Sequence, residues 1–547
     1  SWPVELAIEL PESCPGAELQ SAISRRYGTG ELTVGRVPVA ALNVGEGPLV
    51  DGAVLVDGAA AAAAPDAPAL VLAVHSGPGA GMVIPLRRGR FRVGRSGTEI
   101  VVPDAELSRE HAQLDVSDSA VTLLDLGSAN GISVDGKKVH AAPLSTDAMI
   151  RCGGSSMSLV FCGSLAPEVR ASAGSDVSVP LVVSNPAANG NRTALMLAAA
   201  LPLAIGTGLA IVTGMWIFLA FTAVSAVSVL VPVMSGRRQR RELRAAVAAA
   251  AREDTERRRR AAPSAAELSM GGSGAESDSP KLSPSTTSPV WLRLGQAKQA
   301  ANIRLEPSDA GFQPPLLGML PVALDPRTTV TTLRGPEANV AGLLRSLVLQ
   351  LACYPAARRT RILLHGPTPS LLAARFLTAA TLSMHEASTL ETLATVPGGD
   401  HERGMLIIVN APETAALRAV AVSRGWQVID CAGDPGAREG ASAAIVLNAR
   451  TGRLSSARSS LEFTPDLVPA DVFDRNCRRL GAGALSTVPR PGIPAACSLG
   501  GLVPFSARDT SRRWAGSAAA RGLPVVVGVG SSGPMRLDLQ ADGPHFL

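Results

Sequence analysis

Aromatic residues are scarce: Phe, Tyr and Trp together make up 3% of the 547 residues. With Ala, Gly, Pro and Arg abundant, this reads as compositional bias along the whole chain and not as the mark of a special fold. The seven cysteines (Cys14, Cys152, Cys162, Cys353, Cys431, Cys477 and Cys497) include no CxxC pair, and no His stands at zinc-finger spacing. A disulfide framework and a metal site are therefore not expected, and reduced thiols are. The first ten residues carry two glutamates and no basic stretch, so no signal peptide opens the sequence. The net charge of +5 is modest for this length. Its distribution matters more than its sum, because arginines crowd just after Met234. A chain this long should hold several domains and bury a sizeable core.

Charge is wholly absent from Ala194 to Met234. One membrane-spanning helix needs about 20 apolar residues, and this run is about twice that, with Gly206, Gly208 and Gly214 near its centre. The reading is a transmembrane hairpin of two helices, 194–213 and 215–234, with Trp216 near an interface. "GRRQRRELR" and "ERRRR" follow directly, whereas only Arg192 lies just before. The positive-inside bias places the arginine-rich side in the cytoplasm, and an even number of spans returns the N-terminal half there too. The expected location is the plasma membrane, multi-pass, with both flanks cytoplasmic. Residues 237–262 read as a basic helical stem able to meet anionic lipid or DNA, or simply to set topology. Residues 263–289, rich in Ser, Pro, Gly and Ala, read as a flexible linker.

Before the membrane run, short alternating segments separated by Gly and Asn turns predict a β-sandwich. They are Leu70–Val74, Met82–Pro85, Arg90–Val93, Ala112–Val116, Val121–Asp125, Ile132–Val134 and Ser156–Phe161. Their turns hold Gly94-Arg95, Ser108-Arg109-Glu110-His111 and Asn130-Gly131. This combination over residues 68–163 resembles the forkhead-associated (FHA) domain. The resemblance implies that Arg95 and Ser108 hold a phosphothreonine and that Asn130 fixes the peptide backbone. It makes Arg109 an auxiliary contact and gives Gly94, His111 and Gly131 supporting places. The chemistry agrees, since a phosphate dianion calls for guanidinium, hydroxyl and amide donors on clustered loops. Ala129 is a departure: the family often has Thr there, and its absence removes a hydroxyl near the ligand. Upstream, residues 1–58 show the order β–α–β–β, with strands expected at Val4–Leu10 and beyond, as in a small ubiquitin-like or β-grasp domain.

After the linker, strands alternate with helices from residue 290 to 485, predicting a mostly parallel α/β sheet. A nucleotide-binding P-loop needs G-x-x-x-x-G-K-[ST]. "RGPEANVAGLLRS" has neither the lysine nor the hydroxyl, and the strand "MLIIVN" ends in Asn410 where a Walker B acid would stand. The order of "WLRLG", "GMLPVALDP", "LRGPEANVAGLLRSLVLQLA", "FTPDLVPADVFDRNCRRLGA" and "LPVVVGVGSSGPMRLDLQADGPHFL" resembles the membrane-anchored FtsK/SpoIIIE-type ATPases, most closely the EccC/EssC type VII secretion ATPases. The resemblance implies a degenerate ATPase-like domain at 290–485 and a truncated first motor domain at 486–547, ending ahead of its Walker A loop. Because Ser1 is not a methionine, the true start is expected to be missing as well. No catalytic residue and no cofactor are then expected in this chain; ATP and Mg would belong to the missing motor, which would act on a secretion substrate or DNA, as a hexamer. Three functions are weighed, the first of them favoured. One is the regulatory, membrane-anchoring part of a type VII-like translocase that binds a threonine-phosphorylated protein or peptide. The others are a DNA translocase of chromosome segregation and a non-enzymatic membrane-tethered phosphopeptide scaffold.

Overall fold

The computed structural model describes residues 6, 8, 14–34, 37–46, 49–50, 53–57, 70–146, 148–161, 177–185, 192–215, 217–271, 290–353, 360–395, 403–411, 413–432, 442–456, 459–487, 503, 506–517, 524–530 and 533–538. The strand expected at Val4–Leu10 lies almost wholly outside them, as do Trp216 and residues 272–289. Helix α1 (Gly16–Tyr27) places Leu19 and Ile23, one turn apart, against a small antiparallel sheet. Its strands are β1 (Leu32–Val34), β2 (Val37–Pro38) and β3 (Leu55–Asp57), in the order β2-β1-β3.

Period-2 alternation builds the expected β-sandwich. In Val121–Asp125, Val121 and Leu123 point inward while Thr122 and Leu124 face out. The strands are β4 (Leu70–Ser76), β5 (Val83–Leu86), β6 (Gly89–Gly94), β7 (Ile100–Val101), β8 (Ala112–Val116) and β9 (Val121–Asp125). They continue with β10 (Ile132–Val134), β11 (Lys137–Val139), β12 (Ala141–Leu144), β13 (Ile150–Cys152) and β14 (Ser155–Phe161). One sheet is ordered β11-β10-β13-β14-β4-β5 and the other β12-β9-β8-β6-β7. Leu72, Leu114, Leu123, Ile132, Ile150 and Met157 fill the space between them, fully buried; each such side chain contributes about 1.5–3 kcal/mol.

Two helices occupy the charge-free run: α2 (Arg192–Thr213) and α3 (Ile217–Ala261), which fold back on each other after Gly214; a strand not expected from the sequence, β15 (Leu181–Ser184), precedes them. Among the described residues no helix is long and apolar enough to cross a membrane. The side chains of 192–200, 202–203 and 216–238, most of the expected hairpin, lie outside the described residues. Helix α3 continues through the residues of the expected basic stem. It runs unbroken for 45 residues, about 68 Å at the α-helical rise. Near its end the fully buried carboxylate of Asp254 pairs with Arg257 (2.8 Å) and Arg258 (3.0 Å) and accepts the Asn302 N–H (2.8 Å). Arg257 and Arg258, two of the arginines of the expected stem, are therefore engaged in anchoring the helix.

The linker expectation also needs correction at its start. A short helix, α4 (Ala265–Gly271), stands there with Ala265, Ala266 and Leu268 buried. Ser264 and Glu267 form a reciprocal capping box: the Glu267 N–H donates to Ser264 Oγ (3.2 Å) and the Ser264 N–H to Glu267 Oε2 (2.6 Å).

The remaining strands are β16 (Leu292–Ala300), β17 (Ile303–Glu306), β18 (Leu316–Leu324), β19 (Val330–Arg334), β20 (Thr360–His365), β21 (Ala380–Ser383), β22 (Arg403–Ile408), β23 (Gln427–Asp430), β24 (Ser442–Leu447), β25 (Gly452–Ser455) and β26 (Ser460–Pro465). Helices α5 (Glu337–Cys353), α6 (Glu386–Thr395), α7 (Ala415–Ser423) and α8 (Ala470–Thr487) accompany them. β17 pairs in parallel with β15, and the other ten form one sheet, β18-β16-β26-β25-β24-β19-β23-β22-β20-β21. The run from β24 to β21 is parallel throughout. Helix α9 (Ala507–Ser517) and an antiparallel hairpin of β27 (Pro524–Gly530) and β28 (Gly533–Asp538) follow.

The sandwich is bolted to this sheet. The turn after β4 exchanges backbone bonds with Leu467: Gly79 N–H to Leu467 O (3.0 Å) and Leu467 N–H to Gly77 O (3.1 Å). Beside it, the buried Asp466 carboxylate accepts from Arg293 Nε (2.8 Å) and from Ser76 Oγ. His75, buried, bonds Ser264 Oγ through Nδ1 (2.9 Å) and Ser158 Oγ through Nε2 (2.8 Å). Burial pushes its imidazole below the usual histidine range, despite Glu267 nearby.

Candidate functional site

Gly94 stands where β6 runs beside the loop that holds Ser108 and Arg109. A Cβ at position 94 would come 1.8 Å from the Arg109 carbonyl oxygen, so only glycine allows this approach. Having come close, the strands are tied: Arg95 N–H donates to Ser108 O at 3.0 Å. Fully buried His111 does the rest. Its Nδ1 accepts the Ser108 N–H at 3.1 Å, which leaves the proton on Nε2 to be donated to Gly131 O at 3.3 Å. Gly131 sits at φ 72°, a left-handed turn that suits glycine, and its N–H donates to Ser128 Oγ at 3.0 Å. The Ala129 N–H donates to Ser108 Oγ at 3.2 Å, and Asn130 Nδ2 donates to Glu106 O at 2.7 Å. Three loops, at 95–99, 102–111 and 126–131, thus form one hydrogen-bonded edge of the sandwich with the end of β6, and Gly94, Arg95, Ser108, Arg109, His111, Asn130 and Gly131 all lie on it.

The arginines on this edge differ in their partners. Arg92 is engaged, bonding Glu99 (3.0 Å) and Glu110 (2.8 Å). Its side-chain and backbone hydrogen bonds hold the Glu99 carboxyl down at about 2. Arg95 and Arg109 are exposed, and neither guanidinium has a hydrogen bond or ion pair among the described residues. Asn130 keeps its carbonyl oxygen and one amide hydrogen unused, and Ser108 Oγ, already accepting from Ala129, keeps its proton to donate. The edge can therefore offer two guanidiniums, a hydroxyl and an amide to an anionic ligand. Ser128 and Glu106 belong to the same framework. Both sit within motif loops, yet neither stood out in the sequence.

Residues 73–162 match the family described as the inner membrane component of T3SS, cytoplasmic domain. Among solved structures the chain is similar to one from a study of phosphothreonine-dependent FHA domain interactions, at 28% identity over 17% of this chain and 95% of that one, with a TM-score of 0.16. It is similar to the FHA domain of an Arabidopsis thaliana hypothetical protein, at 26% identity over 19% and 94%, TM-score 0.17. It is also similar to the cytoplasmic domain of the T3SS sorting platform protein PscD from P. aeruginosa, at 24% identity over 17% and 82%, TM-score 0.17. No curated protein matches. These likenesses lie within the sandwich or cover less than a fifth of the chain.

A second feature is a cavity of about 360 Å³ at the carboxyl ends of β19, β22 and β23, bordered by Arg334, Gly335, Glu337, Thr368, Asn410 and Cys431. Ligands of doubly wound sheets bind in this place. Here the turn into α5 reads Gly335-Pro336-Glu337. Pro336 has no N–H to offer a phosphate, and Glu337 puts a carboxylate in the first turn of the helix, where an anion would otherwise be favoured. Asn410, singled out as the residue in place of a Walker B acid, lies on the cavity wall. No cluster of three metal-ligating side chains occurs among the described residues.

Proposed function

We propose that this chain captures a threonine-phosphorylated protein or peptide at the surface of a membrane, through the edge formed by Arg95, Ser108, Arg109 and Asn130. In this reading Arg95 and the Ser108 hydroxyl take the phosphate oxygens and Arg109 adds charge. Asn130 bonds the peptide backbone, while Gly94, His111 and Gly131 hold the loops. The observation that carries it is the pair of exposed guanidiniums without partners among the described residues, beside a hydroxyl whose lone pair is used and whose proton is not. A phosphate dianion satisfies that set of donors, with charge-assisted bonds about twice as strong as neutral ones. Ala129 contributes only its N–H, so selectivity for threonine over serine at the phosphorylated position should be modest.

The test is a titration of the full chain with one peptide in phosphothreonine and unmodified forms, repeated with Arg95→Ala. Expected is phosphate-dependent binding that Arg95→Ala weakens at least tenfold. Indifference to the phosphate, or equal binding by the two proteins, removes the reading.

The membrane arrangement belongs to the same proposal. Leu201, Ile205, Leu209, Ile211, Val212 and Met215 on and just after α2 are all exposed, which suits an apolar surrounding better than water. The family match to an inner membrane component supports a membrane setting with a cytoplasmic sandwich. Two readings of the whole follow. The first is the regulatory, membrane-anchoring part of an FtsK/SpoIIIE-type translocase, supported by a parallel sheet with a cavity at its strand ends whose turn lacks the P-loop lysine and hydroxyl. The second is a membrane-tethered phosphopeptide scaffold without enzymatic activity, favoured by Pro336 and Glu337 at that cavity.

A further inference from the structure

The β24–β25 hairpin reaches from the ten-stranded sheet to the recognition edge of the sandwich. Its turn is rigid: Asn448 Oδ1 accepts the N–H groups of Arg450 (3.1 Å) and Thr451 (2.7 Å). The Asn448 N–H donates to Thr451 O (2.9 Å). Asn339 in α5 holds the turn from behind, donating to Asn448 O at 2.7 Å. From this turn Arg450 extends to Glu106, with Nη1 3.6 Å from Oε1 and 72% of the arginine side chain exposed. Glu106 is the residue whose carbonyl oxygen accepts the Asn130 amide, and it lies two positions before Ser108.

Resting on the phosphopeptide reading above, we propose that Arg450 is a specificity residue of the recognition surface, selecting phosphothreonine partners with acidic flanking residues. The two modules make one binding face. The sandwich supplies the phosphate contacts, and the sheet supplies a cation fixed beside them by the Gly77–Leu467 and Asp466 contacts. Glu106 occupies that cation in the free chain, through a long and exposed pair that is worth little. An acidic peptide side chain crossing the Glu106 loop exchanges with it at small cost, whereas a neutral one gains nothing. A basic flank meets Arg95, Arg109 and Arg450 together and is repelled.

The experiment compares two phosphothreonine peptides, one flanked by Asp and one by Ala, on the purified full chain and on Arg450→Ala and Glu106→Gln. The wild-type chain should prefer the Asp-flanked peptide about two- to fivefold, the size of an exposed ion pair, and molar salt should erase the preference. Arg450→Ala should bring the two peptides level while leaving the Ala-flanked affinity unchanged. Glu106→Gln, which frees the arginine, should enlarge the preference. A preference that survives Arg450→Ala, an equal loss for both peptides, or no preference in the wild type overturns the assignment. Failure of the underlying reading looks different: neither peptide then binds in a manner sensitive to Arg95→Ala.

Discussion

Replacing Asp466 by Ala should open the joint between the sandwich and the ten-stranded sheet. The carboxylate is 1% exposed and its partner Arg293 is 5% exposed, at 2.8 Å. It also accepts from Ser76 Oγ and, more weakly, from the Gly77 N–H (3.4 Å). With Asp466 gone, the Arg293 guanidinium stays buried with only the carbonyls of His75 (3.3 Å) and Ala262 (3.5 Å) to accept from it among the described residues, and with Glu267 as the carboxylate left in its neighbourhood. Breaking one side of a buried pair costs about 3–5 kcal/mol, because the other charge is left uncompensated. At about 1.4 kcal/mol per tenfold, the joint should open some hundred- to several-thousand-fold more often. Amide exchange reads this locally, which matters in a chain of several units where one global unfolding energy is not defined. The reporters are the N–H groups of Gly79 and Leu467, whose bonds exist only while the two units touch. Their protection should fall by about two to three and a half orders of magnitude, while amides in the sandwich core such as Leu114 and Leu123 stay protected. Replacing both partners, Arg293→Met with Asp466→Leu, should recover most of the loss, since an apolar pair of similar volume is often neutral. Unchanged exchange at Leu467 in Asp466→Ala, or a double variant as damaged as the single one, would refute the argument.

Two further outcomes follow from the recognition edge. Glu99 titrates at about 2, below its ordinary 4.5; its folded value is depressed, so the stabilising contribution is present above about 4.5 and is lost as pH falls toward 2. An NMR titration of its side-chain carboxyl carbon should show that midpoint and return toward 4.5 in Arg92→Ala. His111→Ala removes the acceptor of the Ser108 N–H and the donor to Gly131 O. It should cost about 2–4 kcal/mol locally, read as faster exchange of the Ser108 amide, and in the proposed reading it should weaken phosphopeptide binding through the loops it holds.

The recognition edge was legible because its determinants fall in three short motifs at successive turns of one sandwich. Gly94-Arg95, Ser108 to His111 and Asn130-Gly131 bond from one turn to the next, and the strands between them alternate cleanly, so β8, β9 and β10 begin and end where the pattern places them. What escaped lies in contacts across long sequence separations. Arg450 meets Glu106 from a unit more than three hundred residues away, and nothing around position 450 marks it. His75 and Ser264, or Ser76 and Asp466, look like ordinary polar residues until the fold brings them together. Helix α4 is a different miss. Its Ser264–Glu267 capping box was present in the sequence but sat in a Ser-, Pro- and Ala-rich stretch whose composition pointed to a flexible chain.

The clamp at Asp466 would change what the proposed phosphopeptide capture could accomplish. A reading module on a flexible tether mainly raises the local concentration of its partner, by an amount set by tether length. Here the sandwich is fastened to the sheet at Leu467, to α4 through His75 and Ser264, and through the sheet to α3, whose Asp254 is bonded to Asn302 just before β17. A partner held at Arg95 would take a defined position relative to α3, and to the membrane in the arrangement proposed above. Binding energy could then bias the geometry of neighbouring units and not only their encounter. The same rigidity gives Arg450 its discriminating role, since a cation on a moving module would reward any acidic neighbour, whereas one fixed beside Ser108 rewards only a peptide that crosses the Glu106 loop.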